Sequence, residues 1–278
     1  MPGRNVPDLT AIRQPEAPTS RSGSVLGAAN RWLGVVLVTV LCVRGLQFVL
    51  YIALTYIARL FDGNLEWWNN GFLPGLYSSE NPGATGSIGL HFVTGAVVMV
   101  LGCIQLMPAI RRRWPVIHRW VGRLYVATAL STAFGGLGFI VLQRTVGGIM
   151  MDIGFGLYGL LMILSAVQTV RYARARNVSR HRAWAIRLFA LVIASWLYRM
   201  EYGLSNLVEF DGRTTDFRGW FDLTMDFFFY LPNLLLAELY LRAGHARSSV
   251  AVRSSSVAAL LLSLIVVLAG AYLQVQRL

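Results

Sequence analysis

Seven stretches of about 20 apolar residues, each long enough to cross a bilayer as a helix, constrain this chain more than any other feature. They run near Trp32 to Ile57, Gly89 to Ile110, Trp120 to Leu142, Ile149 to Val170, Trp184 to Leu207, Phe221 to Leu241 and Val257 to Leu273. The expected fold is therefore an all-α integral membrane bundle of about seven transmembrane helices. Composition agrees: 55% of residues are hydrophobic and 14% charged, with a mean hydropathy of +0.55. The formal charge of +12 would suggest nucleic acid in a soluble protein. Here the arginines cluster between apolar stretches, where a lipid bilayer with anionic phospholipid headgroups satisfies them, and nucleic-acid binding is excluded.

Residues 1–30 carry Pro2, Pro7, Pro15 and Pro18 among Ser, Gly and Arg and lack periodicity, so they read as a disordered cytoplasmic tail ahead of a transmembrane bundle at 31–278. The apolar stretch that follows is too long for the core of a signal peptide, contains Arg44, and has no small-residue cleavage site after it. Cys42 and Cys103 lie inside apolar spans and imply no disulfide framework.

Loop charge orients the spans. Arg111, Arg112, Arg113 and Arg119 separate spans two and three, and Arg171, Arg174, Arg176, Arg180 and Arg182 separate spans four and five. Arg242, Arg247 and Arg253 precede the last span. All share one side with the N-terminal tail in a seven-span chain, which predicts a bacterial cytoplasmic (inner) membrane location, basic loops and N-terminus inside, C-terminus outside. The opposite loops carry Asp62, Glu66, Glu80, Glu209, Asp211 and Asp216, with Trp67, Trp68 and Trp220 as expected interfacial anchors.

Sliding the sequence on itself by 63 positions aligns Gln105 with Gln168, Arg111 with Arg174, Arg113 with Arg176, His118 with His181 and Arg119 with Arg182. After one inserted residue, Trp120 meets Trp184, Arg123 meets Arg187, Leu124 meets Leu188 and Tyr125 meets Phe189. The expectation is a duplicated (2+2) four-helix core at 89–208, its halves related by an axis along the membrane normal, with the spans near 32–57, 221–241 and 257–273 peripheral.

At these residues the chain resembles a bacterial family of predicted membrane proteins, domain-of-unknown-function family 2306. The matching elements are Leu90-His91 with Gly95, His118-Arg119-Trp120 followed by Gly122-Arg123-Leu124-Tyr125, and His181-Arg182 followed by Trp184, Ile186 and Arg187. They cover residues 89–203. The resemblance implies a multi-span bundle and supplies no activity, substrate or cofactor.

Two constellations carry chemistry. His118 and His181 each begin a helix and precede an arginine, so both charges around them favour the neutral, ligating imidazole. The leading functional reading is membrane-embedded electron transfer through one b-type haem held by His118 and His181, with Arg123 and Arg187 meeting its propionates. A second haem lacks a histidine pair, because the repeat equivalent of His91 is Gly154. The bland alternative makes His-Arg-Trp and His-Arg-Ala-Trp interfacial anchors in a structural, lipid-interacting protein.

The second constellation, toward the outer face, comprises His91, Arg199, Glu201, Asp222 and Asp226. A charge near the bilayer centre costs about 2.5–3.5 kcal/mol on insertion scales, so such residues are paired or functional. They support a proton-coupled transporter of a small solute as the main non-redox reading, with His91, Arg199, Glu201 and Asp226 as the relay. Mid-span Arg44 has three candidate partners, Gln47, Glu201 and Glu238. Hydrolase signatures such as His-Glu-x-x-His and Gly-x-Ser-x-Gly are missing from the sequence, and convergence of His91, Asp152, Glu201 and Asp226 on one ion is a minor reading. The spacing fixes neither a catalytic residue nor a protein partner.

Overall fold

The structure, a computed structural model, describes residues 21–205 and 212–275, which are helical throughout apart from turns and loops. Residues 1–20, most of the expected tail, lie outside the described residues, as do Glu209 and Asp211. Helix α1 (Arg21–Ile52) continues through a π turn (Ala53–Ile57) into α2 (Ala58–Asp62). It already includes residues 21–30, and Asn30 is fully buried, accepting a 2.6 Å hydrogen bond from the Ser256 hydroxyl.

A 3-10 turn at Leu65–Asn70 leads to α3 (Pro82–Leu106), α4 (Pro108–Arg113), α5 (Pro115–Gln143), α6 (Ile149–Arg174) and α7 (Val178–Ser205). Then come α8 (Trp220–Phe228), α9 (Leu231–Ala243) and α10 (Val250–Val275). Among the described residues, six helices are long and apolar enough to cross a membrane. Their lipid-facing sides are apolar: Val43, Leu46 and Leu50 on α1, Leu157, Leu160 and Leu164 on α6, and Leu262 and Ile265 on α10 are exposed. Water would not tolerate so continuous a band, and lipid tails do.

The expected span at 221–241 is two helices, broken at Phe229 and Tyr230. Pro232, near the start of α9, is the physical reason, since proline has no N–H for the ladder and its ring clashes with the preceding turn. At about 1.5 Å per residue α8 is too short to cross by itself.

In the core, α5 packs on α3 and α6, and α7 packs on α6 and α3, so α5 and α7 stand across the bundle from each other. Glycine allows the closest contacts. A Cβ at Gly135 would lie 2.7 Å from the Ser87 carbonyl and 2.8 Å from the His91 amide, locking α5 against α3. Helices α1 and α10 pair with each other, α9 bridges α7 and α10, and α8 lies on α6.

The helix ends follow from local chemistry. Asn81 caps α3 by accepting from the Ala84 amide at 3.1 Å, and Pro82 and Pro115 open α3 and α5, where their missing N–H costs nothing. Between α6 and α7 the Asn177 amide reaches the Tyr172 carbonyl at 3.0 Å and the Arg176 amide the Ala173 carbonyl at 3.1 Å. That pairing is a Schellman closure. Asn177 Oδ1 then accepts from the Arg180 amide at 3.1 Å to start α7. The basic loop is therefore a tight turn.

Candidate functional site

The far end of the bundle, opposite the arginine-rich turns, is capped by the segment between α2 and α3. Trp68, expected as an interfacial anchor, is instead fully buried and donates from Nε1 to the Tyr56 carbonyl at 3.0 Å, inside the bundle. Its ring meets Phe92 edge-on, and Phe92 stacks on Tyr56 with centroids 4.2 Å apart. Asn69 and Tyr77 exchange two hydrogen bonds of 3.0 and 2.9 Å, and Gln143 Nε2 donates to the Gly75 carbonyl at 2.7 Å. These bonds hold Phe72 against Tyr198 and Tyr202 and set Leu73, Pro74 and Leu76 over the core.

Beneath this cap lies a cavity of about 150 Å³ walled by α1, α3, α5, α6 and α7. Its lining is mostly aromatic, aliphatic and methionine side chains, among them Phe48, Met99, Phe155 and Met162. The charged and titratable groups that interrupt it are His91, Arg199 and the phenols Tyr158 and Tyr198.

His91 Nδ1 is 2.9 Å from the Thr132 carbonyl. A carbonyl only accepts, so Nδ1 carries the proton and Nε2 is left as an acceptor. Arg199 rests between two rings, its guanidinium 5.1 Å from the centroid of Phe48 and 5.4 Å from that of Phe72. Among the described residues no carboxylate lies within salt-bridge distance of it. The Tyr51 phenol interacts with the guanidinium, and among the described residues its buried Nε–H has no hydrogen-bond partner. Tyr158 donates to the Leu191 carbonyl at 2.8 Å.

The structure thus brings His91 and Arg199 into one cavity wall and leaves Glu201 and Asp226 outside it. Glu201 is half-buried on α7, and its Oε2 has no hydrogen-bond partner. Asp226 is fully buried on α8, again without a partner for either oxygen. Asp152 takes a structural place, accepting from the amide and hydroxyl of Thr145, both at 2.8 Å, and from Arg144 at 3.3 Å. Among the described residues no group of three metal-ligating side chains forms, so His91, Asp152, Glu201 and Asp226 do not share an ion.

His118 and His181 sit at the basic end, near enough to act on each other electrostatically, on helices that face across the core. His181 Nδ1 is 3.0 Å from the Thr169 carbonyl, and His118 Nδ1 has no partner. Neither lines the cavity. Their arginines stack alike: Arg123 lies 4.5 Å from the Trp120 centroid and Arg187 4.8 Å from that of Trp184. They differ in their further contacts, because Arg187 binds Glu238 at 2.5 Å while Arg123 is exposed. The Arg187–Glu238 pair, extended by Arg242 at 3.4 Å, also occupies one of the three candidate partners of Arg44.

The family model described as "Predicted membrane protein (DUF2306)" matches residues 88–241, more than half of the chain. The chain belongs to the DUF2306 family. The match reaches beyond the expected 89–203 to take in α8 and α9, and α1 and α10 lie outside it. No curated protein and no solved structure matches the chain.

Sequence reasoning missed the cap residues Phe72, Leu73 and Pro74 and the ring partner Phe48. The available signal was an apolar, aromatic-rich run, Trp67-Trp68 to Phe72-Leu73-Pro74, in a segment otherwise read as a polar loop.

Proposed function

We propose that this DUF2306 protein binds a membrane-soluble amphiphile in the capped cavity, with the oxygen-bearing head of the ligand between Arg199 and His91. The observation that carries the reading is one cation and one hydrogen-bond acceptor, on different helices, in the wall of a mostly apolar cavity whose other polar groups are neutral hydroxyls. A site with a few convergent polar groups in apolar surroundings is the usual form of a small-molecule pocket. A volume of about 150 Å³ suits one six-membered ring or a short acyl segment. The head must offer a hydroxyl hydrogen to His91 Nε2 and an oxygen to Arg199, which a carboxylic acid or a hydroquinone does.

The reading includes a place in the bacterial cytoplasmic membrane, with the basic turns in the cytoplasm. The cavity then faces the outer half of the bilayer. Carriage of the ligand, the proton-coupled transport reading, would draw on Glu201 and Asp226 outside the cavity. The test is the thermal stability of the purified protein with decanoic acid or decylhydroquinone. Saturation at a hundred times Kd stabilises by about 2.7 kcal/mol. The expected result is a rise in Tm with at least one probe, lost in Arg199→Gln and kept in Glu201→Gln. No rise with either probe would overturn the reading and leave a structural, headgroup-binding role.

A second reading rests on a different observation, the placement of His118 and His181 in the first turns of α5 and α7 at the same end of the bundle, and assigns them one b-type haem. Of the two arginines expected at its propionates, Arg123 is exposed and Arg187 is already held by Glu238. A dithionite-reduced optical spectrum of protein from haem-replete cells decides this reading.

A further inference from the structure

Two aspartates on α8 are fully buried one helical turn apart, and their surroundings are opposite. Asp222 has a full set of donors: the Tyr202 hydroxyl at 2.7 Å, the Thr214 amide at 3.0 Å and the Gly219 amide at 3.0 Å. Asp226 has none. The Tyr230 hydroxyl, at the other side of the helix break, is likewise buried without a partner, on a residue that is 0% exposed.

Groups from every neighbouring element face this pair. Helix α7 brings Tyr198 and Tyr202, with Arg213 from the following loop 5.1 Å from the Tyr202 centroid. The start of α9 brings Tyr230. Helix α6 brings the bare backbone of Gly154, where an added Cβ would strike the Asp226 carbonyl, so the two helices are in close contact at this aspartate.

An anionic carboxylate with no donor, out of water and beside a second carboxylate, is the costliest state available to Asp226. The donors decide which aspartate holds the charge. We propose that Asp226 is a proton-binding site: its carboxyl carries a proton while Asp222 carries the negative charge. Tyr198 donates to Tyr202 at 3.4 Å and Tyr202 donates to Asp222, so both phenols point their hydrogens toward the charged partner. Tyr198 also lines the cavity. The chain of hydroxyls therefore links the loop at 212–219, which contacts Asp222, to the cavity wall, and the Asp226 carboxyl stands beside it without joining it. The inference stands on α8 and its neighbours and does not need a ligand in the cavity.

The test uses the full chain in lipid vesicles and infrared spectroscopy. At neutral pH the wild type is expected to show the carbonyl stretch of a buried protonated carboxyl, shifted in deuterium oxide. Asp226→Asn, an isostere of the neutral acid, is expected to fold, elute as the wild type does and lose that one band. Asp226→Leu is a second variant with the same expected loss. Persistence of the band in both variants would overturn the assignment. So would its absence from the wild type, including the case in which sodium alone produces a spectral change that Asp226→Asn abolishes, which would make the position a cation site.

Discussion

Arg176 holds a backbone conformation, φ 54°, that side-chain-bearing residues rarely adopt. It is the residue that closes α6, a position usually given to glycine. Its strain is on the order of 1 kcal/mol. Arg176→Gly is expected to raise stability by about 1 kcal/mol, read as a higher Tm of the purified protein. A lower Tm would mean that the Arg176 charge matters more than its backbone. The same scale explains what the sequence disclosed of the site. His91 and Arg199 stood out because polar groups at membrane depth require a reason. Trp68 misled, since an aromatic residue beside a charged loop reads as an interfacial anchor, and only the fold reveals that the Tyr56 carbonyl satisfies its N–H. Phe72 carried no periodicity at all; its place between Tyr198 and Tyr202 is a long-range event.

At the scale of elements, hydropathy located the long helices within several residues, as α3 at Pro82–Leu106 against an expected start at Gly89 illustrates. It failed at the break between α8 and α9. An apolar average over 20 residues outweighs one proline, although Pro232 alone was sufficient to divide the span. The packing of α1 on α3 offers a direct check. The chain's two cysteines, Cys42 on α1 and Cys103 on α3, are neighbours across this contact. Membrane-permeant diamide is expected to join them, giving a faster-migrating, reductant-sensitive band in denaturing gels. No mobility change under complete thiol oxidation would contradict this helix pairing.

For the whole molecule, the loop arginines predict which side each helix end faces, the 63-residue offset predicts a duplicated core, and the tryptophan–arginine stacks recur at both aligned positions. Sidedness is measurable in a variant whose two native cysteines are replaced by serine. Ser79 in the cap segment and Ala246 in the turn before α10 are both exposed. An impermeant maleimide applied to intact spheroplasts is expected to label Ser79→Cys and spare Ala246→Cys. The reverse pattern would invert the orientation. What composition does not convey is how unequal the helices are in their means of entering the bilayer. The α8–α9 segment brings two fully buried aspartates, and the hydroxyl that donates to Asp222 belongs to α7. The carboxyl of Asp222 is therefore accommodated by a partner on a neighbouring helix and not by anything α8 itself carries, so the place of α8 depends on its neighbours α6 and α7.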